Sequence, residues 1–341
     1  MKAMLLRRIV SLDRETVPLE PAELPVPVPG KGEVLIRVAA CGVCHTELDE
    51  IEGRTPPPVF PLIPGHEVVG RVVECGEEAS LYRPGDRVGV GWIYSACGKC
   101  AYCRSGNDNL CEEFRATGRD VNGGYAEYMV VPERSAFPIP EAFSDTEAAP
   151  LLCAGAIGYR SLRLAGITDG QTLGLTGFGA SGHLVLQMAA HLYPRSNVYV
   201  FARSERERTF ALELGAAWAG ETTDTPPEKI RSIIDTTPAW KPVVEALKHL
   251  QPGGRLVINA IRKEAGDRES LLEIDYPVHL WMEKEIKSVA NVAGRDIREF
   301  LELAGRMNIR PEVEEFPLAE ANRALLELKN RKIRGAKVLV M

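Results

Sequence analysis

Residues 173–190 read LGLTGFGASGHLVLQMAA. A short apolar run ends in Gly177, Gly179 and Gly182, spaced G-x-G-x-x-G, and a helical pattern follows. Alone that spacing is a weak signal. Between a strand and a helix it gains meaning. Gly177 permits the tight turn, Gly179 lets backbone approach a pyrophosphate, and Gly182 allows close helix packing. The helix N-terminus favours the negative charge. The stretch is read as a dinucleotide-binding turn rather than an ordinary connection.

Working outward, the same alternation repeats. NVYVFA, SIIDTT and GRLVINA read as short strands, with helices over about 181–193, 205–214 and 243–250. Alternating β and α units predict an α/β fold with a parallel, doubly wound sheet. Before about Glu147 the composition differs. Residues 1 to about 150 read as short strands and turns, among them the alternating strand 33–39, VVGRVVECG and RPGDRVGVGW, with a stiff loop at Pro56–Pro58. The end, EANRALLELKNRKIRGAKVLVM, reads as a helix and then a strand able to return to the first lobe.

Two cysteine patterns suggest metals. Cys97, Cys100, Cys103 and Cys111 are spaced C-x2-C-x2-C-x7-C. Two intervening residues let one turn aim two thiolates at one point, and the seven-residue loop brings round the fourth. Such a closed four-thiolate cage most often holds zinc in a structural role. The second pattern is scattered: Cys44 in CGVCHTELD, His66 and Glu67 in PGHE, and Cys153 in APLLCAG. Two thiolates and an imidazole form a recognised catalytic zinc set with one position open. Cys41 and Cys75 are left over; Cys41 is read as a structural thiol, although Cys41 and Cys44 also make a C-x2-C pair.

Bulk properties narrow the classes. The chain has 341 residues, enough for about two domains, with 45% hydrophobic and 26% charged residues and a net charge of −6. No basic block suggests nucleic acid. No apolar stretch is long enough for a membrane span, and the first residues lack a signal-peptide pattern. Eight cysteines in a long chain, four of them clustered at metal spacing, fit a reducing cytoplasm better than a disulfide scaffold.

Taken together, the chain resembles the zinc-dependent medium-chain alcohol dehydrogenases, in the bacterial form of about 340 residues. The resemblance covers nearly the whole sequence. It rests on GVCHTEL, PGHEVVG, GDRVGVGW, CGKCAYC, NGGYAEY, LLCAG and the nucleotide-binding unit, all in family order. It implies a mainly-β GroES-like catalytic domain over 1–153 and 290–341, and a Rossmann cofactor domain over 154–289. It implies two zinc ions per chain, the catalytic one on Cys44, His66 and Cys153 with Glu67 beside it. Thr46 would take the alcohol proton, His45 would lie near the cofactor pyrophosphate, and Glu47 would orient His66. Many family members have a histidine three residues after the relay hydroxyl. This chain has Asp49 there, whose ordinary pKa of roughly 3.9 matches neutral pH poorly.

NAD-binding units usually place an acid at the end of their second strand. Counting back from Leu214–Ala216 by the family's usual helix length lands on Ala202, followed by Arg203 and Ser204. A missing carboxylate and a nearby arginine favour NADP(H), with NAD(H) still possible. By resemblance Trp92 lines the substrate pocket and narrows it toward unbranched primary alcohols and aldehydes. Trp281 and the segment 289–294 would border the nicotinamide or a subunit contact, in a homotetramer or homodimer. Two other readings stand beside this: reduction of a conjugated double bond (an enoyl or quinone-type reductase), and a nucleotide-binding protein of the same fold without turnover.

Overall fold

The computed structural model describes residues 1–307, 309–330 and 334–341. The chain divides into two units, Met1–Ala156 with Val292–Met341, and Ile157–Asn291.

In the first unit the strand Glu33–Val43 is the backbone of a seven-stranded sheet. Its alternation places Val34, Ile36 and Val38 in the core while Arg37 faces out. It pairs antiparallel with Val68–Cys75, Tyr128–Pro132 and Ala336–Val340. Register shifts against Val68–Cys75 fall at Leu35/Ile36 and Val38/Ala40. Those bulges let the strand run to Val43, beyond the stretch predicted from alternation, and deliver the chain to Cys44. The core joins these strands to Phe316, Leu325 and Leu339. Of the C-terminal segment, the helix Ala321–Lys329 and the strand Ala336–Val340 are seen, and residues 331–333 lie outside the described residues.

The second unit holds a six-stranded sheet, parallel throughout. Its order is Trp218–Gly220, Val198–Phe201, Leu173–Thr176, Ile230–Asp235, Leu250–Ile258, Glu285–Ser288. This is the doubly wound Rossmann order, with its switch beside the strand that carries the glycine turn. The helices run Ala180–Leu192, Glu205–Glu213 and Lys241–His249, within two residues of their predicted bounds. Tyr199, Ile230, Ile233, Leu247 and Leu256 form its core. Among the described residues no helix is long and apolar enough to cross a membrane.

Candidate active site

The four cage cysteines come together. Their sulfurs all lie within 4.8 Å of one another. Cys100 and Cys103 are 3.5 Å apart, and Cys97 and Cys103 3.9 Å. Four sulfurs about 2.3 Å from one ion would be separated by about 3.8 Å. The backbone supports that packing: the N–H of Cys100 donates to Cys97 Sγ and that of Cys103 to Cys100 Sγ, each at 3.4 Å. Backbone N–H groups of Lys99 and Cys100 hold the Cys97 thiol down to about 7. The lobe is anchored at its far end, where Asp108 Oδ1 accepts from Gly294 N–H at 3.1 Å, at the start of the helix Gly294–Arg306.

The second cluster is assembled from distant segments. Ligand atoms of Cys44, His66, Glu67 and Cys153 lie within 4.8 Å of one another. Cys44 caps the helix His45–Ile51, His66 and Glu67 directly precede the strand Val68–Cys75, and Cys153 ends the 3-10 turn Ala149–Leu152. Glu47, fully buried, ties two of these together. Its Oε1 lies 2.6 Å from His66 Nδ1, and its Oε2 accepts the backbone N–H of Cys44 at 2.8 Å. His66 Nε2 is left buried with no hydrogen-bond partner among the described residues. Cys153 donates to the Cys44 sulfur, which holds Cys44 well below its ordinary value and pushes Cys153 well above its own. Burial pushes the Glu67 carboxyl well above the carboxylate range, and the Cys44 sulfur adds to it. A Cβ on residue 42 would sit 1.8 Å from Glu67 Oε2, so Gly42 is what makes room for that carboxylate.

Around this cluster, Thr46 is buried on the first helical turn, with its hydroxyl oxygen 3.6 Å from Cys44 Sγ. His45 is exposed beside it. Asp49 is buried and ion-paired to Arg54. Arg54 also reaches Glu52 at 2.7 Å, and Lys329 ties Glu52 to Asp13. Burial holds the Asp49 carboxyl above its ordinary value despite that arginine. Trp92 is buried, with its ring edge-on to His66 at 4.9 Å. Cys41 and Cys75 lie outside both clusters.

In the second unit Gly177 has a φ of 80°, and a Cβ there would press on Thr236 and Thr237. Gly179 faces open space and opens the helix Ala180–Leu192, while Gly182 packs against Gly177. Ala202 follows the strand Val198–Phe201, so no acid stands at its end. Among the described residues nothing pairs with the exposed Arg203 guanidinium. Ser204 is engaged otherwise. Its hydroxyl accepts from Glu207 N–H at 3.1 Å and caps the helix Glu205–Glu213.

Sequence reading passes over two neighbours of the cluster. Glu50 lies one turn beyond Thr46 and is 1% exposed, with neither carboxylate oxygen hydrogen-bonded among the described residues. The Arg119 guanidinium lies 5.5 Å from the Trp92 ring centre and pairs with Asp120.

Comparison with known proteins agrees with this arrangement. Residues 30–141 match the alcohol dehydrogenase GroES-like domain. The probable alcohol dehydrogenase AdhA of Mycobacterium tuberculosis is 41% identical, with the match covering 100% of this chain and 97% of the relative. An alcohol dehydrogenase of Geobacillus stearothermophilus is 34% identical over 94% of this chain and 95% of its own length. The cobalt- and zinc-bound thermostable alcohol dehydrogenase of Pyrobaculum aerophilum superposes with a TM-score of 0.88 at 26% identity, covering 100% and 99% of the two chains. Full-length identity at this level, with both cysteine clusters and a Rossmann unit in one chain, means that the protein belongs to the zinc-type medium-chain alcohol dehydrogenase family.

Proposed function

We propose that this alcohol dehydrogenase interconverts unbranched primary alcohols and their aldehydes, and that it prefers NADP(H) to NAD(H). The observation that carries the reading is the convergence of Cys44, His66, Glu67 and Cys153, with the Thr46 hydroxyl beside one of them. The donor set fits zinc: two thiols, one imidazole whose Nε2 is buried and unpartnered, and a carboxylate in reach. On this reading Cys44, His66 and Cys153 hold a catalytic zinc, and the four-cysteine lobe holds a second, structural one. The first unit is then the catalytic domain and the second the cofactor domain.

The chain's own residues do the following. Glu47 fixes the His66 ring through Nδ1 and so aims Nε2. Thr46 accepts the proton of the substrate hydroxyl and passes it on, with Asp49 as a candidate next carrier. Trp92 walls the site beside His66 and keeps it dry and narrow. When bound, zinc supplies a Lewis acid that lowers the pKa of an alcohol. The nicotinamide supplies the hydride acceptor or donor, and the glycine turn with the Ala180–Leu192 helix start suits its pyrophosphate. Double-bond reduction is the weaker reading, because zinc-free relatives carry it out and this chain keeps the full ligand set.

NADP(H) preference rests on the missing acid after Phe201 and on the unpaired Arg203. A homo-oligomer fits the edge strand Glu285–Ser288, exposed along its length, beside Trp281 at 55% exposure. A reducing cytoplasm suits thiols that, apart from Cys41 and Cys75, all fall in the two clusters. The test is a panel of alcohols and aldehydes run with both cofactors. Turnover of primary alcohols with NADP, and of their aldehydes with NADPH, is expected. A preference for NADH of about tenfold, roughly 1.4 kcal/mol, overturns the cofactor assignment. Turnover of conjugated enones alone overturns the reaction.

A further inference from the structure

Two loops at the carboxyl end of the second unit's sheet are sewn together by charged groups. The strands Leu173–Thr176, Ile230–Asp235 and Leu250–Ile258 lie side by side, with Thr176, Asp235 and Ile258 in register at their last positions. Asp235 is fully buried there. Its Oδ1 accepts from the Thr176 hydroxyl at 2.5 Å and from the Thr237 hydroxyl at 2.8 Å, and its Oδ2 is ion-paired with Lys263. The Lys263 ammonium, equally withdrawn from solvent, also donates to Thr237 O at 2.7 Å and Ala239 O at 2.9 Å, so its three donors are all used. Nearby, Glu264 N–H donates to Pro238 O at 2.7 Å, and the Asp267 carboxylate accepts from the N–H groups of Trp240 and Lys241 at 2.9 and 2.8 Å. The segments 236–241 and 259–267 therefore form one joined wall.

That wall stands against the glycine turn. A Cβ on Gly177 would sit 2.7 Å from Thr236 Oγ1 and 2.9 Å from Thr237 Cγ2. Thr237 is the residue whose hydroxyl and carbonyl the Asp235–Lys263 pair holds. A buried ion pair adds little net stability over an apolar pair of similar volume, so stability alone does not explain a lysine buried here. In a doubly wound sheet a dinucleotide lies across the carboxyl ends of the strands at the switch point, with its pyrophosphate at the glycine turn and one ribose beside the end of the second strand.

We propose that Lys263 is a positioning residue for the nicotinamide half of the cofactor. Through Asp235 and the Thr237 and Ala239 carbonyls it fixes residues 236–240 against the glycine turn before the cofactor arrives. Lys263 does not itself bond the cofactor, since its donors are taken. It acts through Thr236 and Thr237, which meet the turn. The Ala202–Arg203 side of the turn serves the adenosine ribose, and the strands that end at Asp235 and Ile258 lie on the opposite side, under the other half of the dinucleotide. A preformed wall spares the ordering cost that a loose loop pays on binding. The gain belongs to one half of the molecule, so it is the same for NADP(H) and NAD(H), which differ only at the adenosine ribose.

The inference rests on the reading of the second unit as the cofactor domain, and the experiment separates the two. NADPH and NADH, and the adenosine half of each alone (2′-phospho-AMP and AMP), are titrated by calorimetry into the zinc-loaded wild-type enzyme and into Lys263→Met, which keeps an unbranched apolar stem. In the variant the Kd of both dinucleotides should rise about tenfold or more, while the adenosine halves bind within about twofold of wild type and bound zinc is unchanged. Lys263→Met leaves Asp235 buried without its cation, so the double variant Asp235→Asn, Lys263→Met removes both charges. It serves if the single variant does not fold, and it should show the same selective loss. A dinucleotide Kd within about twofold of wild type in either folded variant, or an equal loss for the adenosine halves, overturns the proposal and leaves the cofactor-domain reading intact. A wild-type enzyme that binds neither dinucleotide overturns the parent reading and this one with it.

Discussion

The two cysteine clusters are built in opposite ways. The cage is written on one loop of 15 residues, three of its four thiols are partly exposed, and its turns alone bring the sulfurs together. The other cluster needs a helix cap, a pre-strand loop and a 3-10 turn to meet, and its His66, Glu67 and Cys153 are buried. A locally written site acts as a staple, since its ligands hold one another and the metal supplies folding energy. A site written by the whole fold is held by the sheet and by Glu47, so its geometry survives as long as the unit does. The contrast predicts that damage to one cluster appears mainly in stability and damage to the other mainly in rate.

The largest effect is expected at the cage. Cys100→Ser should lower bound zinc by about one per chain and remove about 3 kcal/mol or more of stability, roughly 6–12 °C in Tm. Loosening the lobe also frees Asp108 from Gly294 at the head of the Gly294–Arg306 helix. Metal analysis with calorimetry checks this. An unchanged Tm with lost zinc would show that the lobe folds without its staple.

His66→Ala should be the mirror image. Bound zinc again falls by about one, but kcat/KM falls about 10³-fold or more while near-UV structure is retained. Glu47→Gln is the graded version, because it keeps the shape of the side chain and weakens its pull on His66 Nδ1. A loss of about 10–100-fold in activity or zinc affinity is expected. A cage variant that lost turnover at unchanged Tm would break the comparison from the other side.

The same division explains what was legible in the sequence. The cage and the glycine turn are local patterns, so spacing alone exposes them. The scattered ligands become readable only as an ordered set. Apart from Glu47 with His66, which the resemblance implied, side-chain pairing was not readable. Nothing in HTELDEIEGR says that Asp49 is tied to Arg54 or that Glu50 is left alone, because both follow from tertiary burial. Some local signals were present and passed over. SERE at 204–207 is a capping box, and the cap explains Ser204 by local structure. The spacing of Ile297, Phe300, Leu301 and Ala304 marks an amphipathic helix, and all four are buried. The edge strand Glu285–Ser288 has no alternation to read, since every residue is exposed.

His183 sharpens the comparison, as a histidine buried like His66 but with no carboxylate behind it. It lies in the Ala180–Leu192 helix, with Nδ1 3.1 Å from Gly179 O. Burial lowers its pKa to about 4. The unfolded chain therefore binds more protons between about pH 4 and 6.5, and stability falls as pH drops through that window. The full difference is about 3 kcal/mol, present above pH 6.5 and lost by about pH 4. His183→Phe should flatten the stability curve in that range. Equal slopes in both proteins would mean that His183 is charged, or reached by water, in the fold.

The smallest effect is expected at Asp49, on the helix that Cys44 caps and tied to the network of Arg54, Glu52, Lys329 and Asp13. Burial raises its carboxyl toward the range useful for carrying a proton, and Arg54 pulls it back. Asp49→Asn keeps an acceptor for Arg54 and removes only the acid. If Asp49 follows Thr46 in the relay, turnover near neutrality should fall by about two- to fivefold and the acidic limb of the pH–rate profile should change shape. If rate and profile are both unchanged, Asp49 belongs to the salt-bridge network that ties the His45–Ile51 helix to the C-terminal helix. The proton from Thr46 then leaves by another path.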